Sequence, residues 1–337
     1  MDGQGRPSRA SHASPAVLRG MKMVEVPIPK EKWSGKIGTV TIGNSPAEGG
    51  SRSAPIMLGG GSGMPFLSYE GLGHKQRLAG EVLDYTEGVP ELSIAAFSDV
   101  ANDPVAWAAR WKELGADMIC LKLRSLDPEG KDAPAEDAVA TVLSVLKAVD
   151  LPLMVYGGGN TEKDANAMEL VSNACAGERV LLGQAEENAY KSISAAATAN
   201  GHALIAYSNL DVNLAKQMNI LLADFGTKLE NVVMDPLMAA LGVGLEYSYS
   251  VNERIRLAAL MGDRMLQTPM CCDLTSSWET REATEENAAW GDAEERGAWW
   301  EATTGLAALL SGADLLIVRH PRSLEILKDA IEELRGE

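Results

Sequence analysis

Past residue 78 the chain alternates between short apolar runs and longer stretches in which apolar positions recur every three to four residues. This is the pattern of strands joined by crossover helices into a parallel sheet. Eight apolar runs begin at Ala79, Met118, Leu153, Val180, Ala203, Val232, Met265 and Asp314. Most are apolar throughout, as strands covered on both faces are. The helical patterns cover Pro104–Leu114, Ala135–Val149, Thr161–Cys175, Glu186–Asn200, Asp211–Asp224, Val251–Met261, Trp299–Ser311 and Pro321–Glu333. Asp103 and Thr161 are placed to cap the first and third of these, each offering a side-chain oxygen to the orphan amides of a first turn. Successive runs start 23 to 49 residues apart, and the eight units fill about 250 residues, the usual size of a closed (β/α)8 barrel of the TIM type. An open, doubly wound eight-stranded sheet is the competing arrangement.

The chain before this repeat reads differently. Residues 1–22 mix Gly, Ser, Arg and Pro without periodicity, which predicts a flexible tail with Met21 or Met23 as an alternative start. Residues 23–78 carry short β-prone runs, KIGTVTIG and APIMLGGG, separated by Gly, Ser, Asn and Pro. They predict a small β-hairpin extension covering one end of a barrel that occupies 79–337.

Composition narrows the function. With 46% hydrophobic and 23% charged residues the chain can bury a large core. A formal charge of −17 opposes nonspecific binding to nucleic acid or to an anionic membrane surface. No run approaches the roughly 20 apolar residues of a membrane span, and Met1–Gly20 lacks the apolar centre of a secretory signal, so a cytoplasmic location is expected. The four cysteines, Cys120, Cys175, Cys271 and Cys272, form no CxxC pair and no spaced metal-binding set.

In such barrels chemistry is built where the strands end. The first and second runs end at Asp84 and at Lys122 and Arg124. The third is followed by Gly157, Gly158, Gly159 and Asn160, the fourth by Gln184 and Glu186, the fifth by Ser208, Asn209, Asp211 and Asn213, and the sixth ends at Asp235. The glycine run leads into a helix, so its N–H groups are candidates for close approach to a bulky ligand or anion, although a plain turn explains it as well. Asp235 reads equally as an acid or base and as a strand-ending cap. His320 is placed to touch a ligand or to cap a helix. There is no HExxH and no DxHxxG segment. The connection from Cys271 to Ala298 is the least generic part of the barrel. With Trp299 and Trp300 just beyond it, the region holds four of the seven tryptophans, and between Asp273 and Glu301 nine acids face two arginines. Tryptophans among charges fit a partner or flat-ligand surface, with a self-packed lid as the alternative.

Several segments resemble, as a set, one known family: DPVAWAARWKELGADMICLKLRSLDPEGKDAPAEDA, LPLMVYGGGN, ENVVMDPLMAALGVGLEYS, WGDAEERGAWWEATTGLAALLSGADLL and RHPRSLEILK. The family is the delta subunit of the acetyl-CoA decarbonylase/synthase complex, also called the small subunit of the corrinoid iron–sulfur protein, and the likeness runs from about Val24 to Leu334. The resemblance implies a (β/α)8 barrel paired with a large (gamma) subunit, with a corrinoid (cobalamin) shared at their interface and a 4Fe–4S cluster on the large subunit only. It implies a place in the Wood–Ljungdahl pathway, carrying a methyl group from methyl-tetrahydropterin to the nickel site of acetyl-CoA synthase. Transient partners are then the methyl-tetrahydropterin methyltransferase and acetyl-CoA synthase. The subunit itself is expected to supply no catalytic residue and no metal ligand. By position at strand ends, Gly158, Asn160, Asn209, Asp211, Asp235, Thr275 and Ser276 are the candidate corrin contacts. The alternative is a pterin-binding barrel methyltransferase acting on a corrinoid protein, in which Asn160, Asn209 and Asp235 would hold the pterin.

Overall fold

The computed structural model describes residues 27–336; the expected flexible tail and the alternative start sites lie outside the described residues. Two short antiparallel strands come first, β1 (Thr39–Ile42) and β2 (Ile56–Gly59), paired from Thr39↔Gly59 to Ile42↔Ile56. Eight parallel strands follow: β3 (Arg77–Leu83), β4 (Met118–Lys122), β5 (Leu153–Tyr156), β6 (Leu181–Ala185), β7 (Ala203–Tyr207), β8 (Val232–Asp235), β9 (Cys271–Asp273) and β10 (Leu315–Val318). Their order in the sheet is β8-β7-β6-β5-β4-β3-β10-β9. The ends of that sheet meet through a parallel bridge between Met234 and Met270 and a hydrogen bond from Met234 N to Pro269 O of 2.8 Å, which brings the barrel to closure. The helices are α1 (Pro104–Glu113), α2 (Ala135–Ala148), α3 (Thr161–Ala174), α4 (Tyr190–Asn200), α5 (Val212–Asp224), α6 (Leu245–Leu260), the single-turn α7 (Arg281–Thr284), α8 (Ala293–Ser311) and α9 (Pro321–Arg335).

The near-continuous apolar strands hide a strict alternation of faces. Outward residues such as Leu78, Ile119, Val155, Leu182, Leu204 and Leu316 join one core with Trp107, Trp111, Val142, Met168 and Leu327 from the helices. Inward residues Ala79, Met118, Cys120, Met154, Leu181, Ile205, Val233, Cys271, Leu315 and Ile317 form a second core inside the barrel. Val40, Ile42, Ile56 and Leu58 of the hairpin belong to that inner core, so β1 and β2 close the end where the strands begin. Each such aliphatic side chain contributes about 1.5–3 kcal/mol by leaving water. The hairpin is also tied down by Arg52, buried beyond the end of α2. Its Nη1 donates to Val149 O (2.6 Å) and Leu151 O (2.9 Å), its Nη2 to Leu146 O (2.7 Å), and its Nε meets Glu178 at 3.1 Å. Carbonyls left without partners at the helix terminus are thereby satisfied.

The structure corrects several sequence boundaries. The run from Met265 is not the seventh strand: residues Arg264–Leu266 form a 3-10 turn and the strand is only Cys271–Asp273. Pro269 has no N–H to give to a ladder, so pairing resumes after it. Asn160, not Thr161, caps α3, accepting from Lys163 N at 3.1 Å. Helix α4 begins at Tyr190 rather than Glu186, α6 begins at Leu245 rather than Val251, and α8 begins at Ala293 rather than Trp299, with Asp292 as its cap. The expected cap Asp103 holds the start of α1 through Val105 N and Ala106 N.

Candidate functional site

The inward face of the barrel changes character in its last layer. Following the period of two, the inward positions above the apolar core are Glu81 on β3, Lys122 on β4, Tyr156 on β5, Asp235 on β8, Asp273 on β9 and Arg319 just after β10. All six lie at the strands' C-terminal end, and five of them form the floor of a cavity of about 390 Å³; Asp235 lies beneath it.

Four charges in this layer form a closed network. Glu81, fully buried, receives Arg319 through Nε–Oε2 (2.5 Å) and Nη2–Oε1 (3.1 Å), and Lys122 through Nζ–Oε1 (2.7 Å). Lys122 also reaches Asp273 Oδ2 (2.6 Å) and Thr275 Oγ1 (3.0 Å). Thr275 in turn donates its hydroxyl (2.7 Å) and its N–H (3.0 Å) to Asp273 Oδ1. Burial works to raise the Glu81 carboxyl, but Arg319 and then Lys122 more than reverse this and hold it at about 2. Burial likewise works against the Lys122 ammonium, and Asp273 and Glu81 keep it charged above its ordinary range. Two cations and two anions cancel, so the floor is polar but locally neutral.

Asp235 forms a second group. Its Oδ2 accepts from Tyr156 Oη (3.1 Å) and Gln184 Nε2 (2.8 Å), and its Oδ1 from Leu237 N (3.0 Å). Burial pushes this carboxyl up to about 6, against those hydrogen bonds. Behind the network, Glu301 of α8 accepts from Arg319 N (2.7 Å) and His320 N (3.2 Å), and burial pushes it up to about 7.

The glycine run forms one wall of the cavity in a way that removes its expected role. Asp164 of α3 accepts from Gly158 N (2.7 Å) and Gly159 N (2.9 Å), so a carboxylate of the chain itself occupies the amides that were read as ligand donors. A Cβ at Gly157 would lie 2.2 Å from the Asp164 carboxyl carbon, and one at Gly158 2.9 Å from Leu123 O. These close approaches explain the glycines.

The sequence-named residues divide. Gly158, Thr275 and Ser276 line the cavity, and Asp235 supports it from below through Gln184 and Tyr156. Asn160 and Asp211 are helix N-caps whose side chains are turned to their own helices, Asp211 accepting from Asn213 N (2.7 Å) and Leu214 N (3.2 Å). Asn209 is exposed, and neither it nor the two caps line the cavity. His320 caps α9, its Nδ1 accepting from Arg322 N (3.2 Å) and its Nε2 meeting Glu294 (3.1 Å). It does not line the cavity; burial lowers its pKa. Cys271 and Cys272 are fully buried, and burial pushes both thiols well up. Among the described residues no three His, Cys, Asp or Glu side chains are grouped to hold a metal ion, and no helix is long and apolar enough to cross a membrane.

The tryptophan region also departs from expectation. Trp278 is 0% exposed, its ring tilted 40° against that of His320 at a centroid distance of 5.3 Å and resting on Gly297, so it belongs to the core and not to a partner surface. Trp300 is half-buried and donates to Leu241 O (2.8 Å), whereas Trp290 and Trp299 are 44% and 48% exposed.

Residues the sequence reasoning missed are Glu81, Asp273, Arg319 and Glu301. The signal was present for three of them. Glu81, Asp273 and Arg319 are charges within or directly after apolar strands, two residues on from an inward apolar neighbour, and a charge there needs a partner across the barrel.

A sequence profile described as the CO dehydrogenase/acetyl-CoA synthase delta subunit matches residues 39–329. The chain is 38% identical over 314 residues to acetyl-CoA decarbonylase/synthase complex subunit delta 2 of Methanosarcina acetivorans, covering 90% of this chain and 72% of that one. To subunit delta of the same complex from Archaeoglobus fulgidus it is 34% identical over 346 residues, covering 97% and 76%. Similar solved structures include dihydropteroate synthase of Xanthomonas albilineans with 4-aminobenzoic acid (TM-score 0.55, 16% identity, 78% of this chain and 93% of that one). The enzyme of Thermus thermophilus in complex with 6HMPPP is similar to the same degree (TM-score 0.52, 18% identity, 78% and 94%). At such identities the structural likeness shows the fold alone, a TIM barrel. The sequence relation takes in hairpin and barrel together, and on it the chain belongs to the CO dehydrogenase/acetyl-CoA synthase delta subunit family.

Proposed function

We propose that this delta subunit works as a cover: the C-terminal mouth of its barrel lies over a corrinoid held mainly by a large (gamma) partner subunit, while a methyl group passes from a methyl-tetrahydropterin toward the nickel site of acetyl-CoA synthase. The single observation that carries this is a mouth of modest volume whose floor charges are already satisfied within the chain. At about 390 Å³ the cavity is near the lower end of the roughly 300–1,000 Å³ that holds a drug-sized ligand, so a corrinoid with its side chains can be covered but not engulfed. Both oxygens of Asp235, the Lys122 ammonium and the Asp273 carboxylate are engaged within the chain. Among the described residues, the floor carboxylates and the Lys122 ammonium are all engaged, so none stands free there to attack a methyl donor.

The residues present fit such a partner. Among the described residues no histidine lines the mouth. Thr275, Ser276 and Gln184 offer neutral polar surface suited to the amide side chains of a corrin ring, beside the Gly157–Gly159 wall whose amides Asp164 holds. When bound, the corrinoid supplies the cobalt that takes up and gives off the methyl group. This chain's part is to exclude water and to hold a fixed, locally neutral floor against it.

The test is corrinoid retention and the visible spectrum of the complex formed with the large subunit, comparing the natural chain with Ser276→Trp, which fills the mouth. Displacement or a spectral change is the expected result; identical retention and spectra would end the proposal. A second reading, direct binding of the pterin, is favoured by the cavity volume, which suits a bicyclic ring. Titrating the chain alone with methyl-tetrahydrofolate separates the two: micromolar binding without any partner supports the second.

A further inference from the structure

Three cations line the mouth: Lys122, Arg124 and Arg319. Two are neutralised by Glu81 and Asp273. Arg124 is different. Its backbone opens the turn Arg124–Leu126 after β4, and Asp84 pins that turn by accepting from Ser125 N (2.9 Å) and Ser125 Oγ (2.5 Å). The residue is half-buried, and the one hydrogen bond of its guanidinium among the described residues runs from Nη1 to Tyr85 O at 3.1 Å. No carboxylate of the described residues lies within ion-pair distance of it, in a chain with 47 acids to 30 Lys and Arg. A planar, five-donor cation stands on the cavity wall with most of its donors open to the mouth, where an anionic group of a covering molecule can replace water.

The surroundings limit the charge of that ligand. Glu186 and Glu279 line the same cavity, and they repel a group with two negative charges more than one with a single charge. Asp164 is occupied by the Gly158 and Gly159 amides and does not compete for Arg124. We infer that Arg124 binds a singly charged oxyanion of phosphodiester type on the molecule that covers the mouth. This rests on the covering role proposed above: a complete cobalamin carries one phosphodiester in its nucleotide loop, cobinamide carries none, and a folate tail brings two carboxylates.

The test uses the complex of this chain with the large subunit, with cobalamin and cobinamide affinities measured by equilibrium dialysis for the natural chain, Arg124→Gln and Arg124→Lys. Losing a charge-assisted contact is expected to weaken cobalamin binding about ten- to hundredfold in Arg124→Gln. Cobinamide binding should stay within about twofold, and Arg124→Lys should recover part of the loss. Unchanged cobalamin affinity, or an equal loss for both corrinoids, overturns the assignment of Arg124 and leaves the covering role standing. If Arg124→Gln instead weakens methyl-tetrahydrofolate binding to the chain alone, the anion is a pterin tail and the phosphodiester assignment is wrong. If the large subunit retains both corrinoids equally with and without this chain, the covering role itself fails.

Discussion

Glu81→Gln tests the network beneath the mouth most directly. The change keeps the shape and removes one charge. Lys122 keeps Asp273 at 2.6 Å, but Arg319, 7% exposed, loses its ion-pair partner and is left as a buried cation. Two estimates of the cost agree. Breaking a buried pair by removing one member typically costs about 3–5 kcal/mol. Independently, the distance from the ordinary 4.5 to about 2 for the Glu81 carboxyl is worth about 3 kcal/mol. Because the folded-state pKa is the lower one, this stabilisation is fully present above pH 4.5 and is lost as pH falls toward 2. At pH 3 only about 1 kcal/mol of it should remain. Urea unfolding of the natural chain and of Glu81→Gln, at pH 7 and at pH 3, should therefore show a gap of about 3–5 kcal/mol that narrows by about 2 kcal/mol in acid. A gap below about 1 kcal/mol at pH 7, or one that does not narrow, would refute the view that Arg319 and Lys122 depend on Glu81.

Three further outcomes follow from the same structure. Trp278→Ala should cost about 3–5 kcal/mol in a urea melt, because the ring is fully buried, whereas Trp299→Ala, on the outer face of α8, should stay within about 0.5 kcal/mol. Arg52→Ala should lower the unfolding midpoint by the equivalent of about 3–5 kcal/mol, since it orphans the Leu146, Val149 and Leu151 carbonyls and leaves the Glu178 carboxylate without its cation, held by Ser51 alone, and Arg52→Lys should restore only part of it. Asp235 has its folded-state pKa raised to about 6, so it favours the folded state below pH 3.8 and loses that contribution, about 3 kcal/mol, as pH climbs to 6. Asp235→Asn should flatten the dependence of Tm on pH across that window, and an unchanged profile would show that the carboxyl titrates normally.

The barrel was legible because eight units of apolar run plus amphipathic stretch encode a parallel sheet by periodicity alone, and the Asp103 cap marked the start of α1. The seventh strand was misread because hydrophobicity at Met265–Met270 spoke louder than Pro269, which cannot pair. For the site, position at strand ends brought Gly158, Thr275 and Ser276 to the mouth, but it equally selected Asn160 and Asp211, whose side chains cap their own helices. Residue type and position do not distinguish a carboxylate or amide that turns to the nearest free N–H from one that faces a ligand; both are short-range bonds made by the same atoms.

By itself, then, the sequence determined fold class and the family to which the chain belongs, because these depend on periodicity and on residues near one another in the chain. Only the tertiary structure decided that Glu81, Lys122, Asp273 and Arg319, up to 238 residues apart, cancel one another, that Asp164 fills the glycine amides, that Trp278 is core, and that Arg124 is left to face the mouth. Pairing across a closed barrel depends on register and inward facing, which no local stretch of sequence specifies.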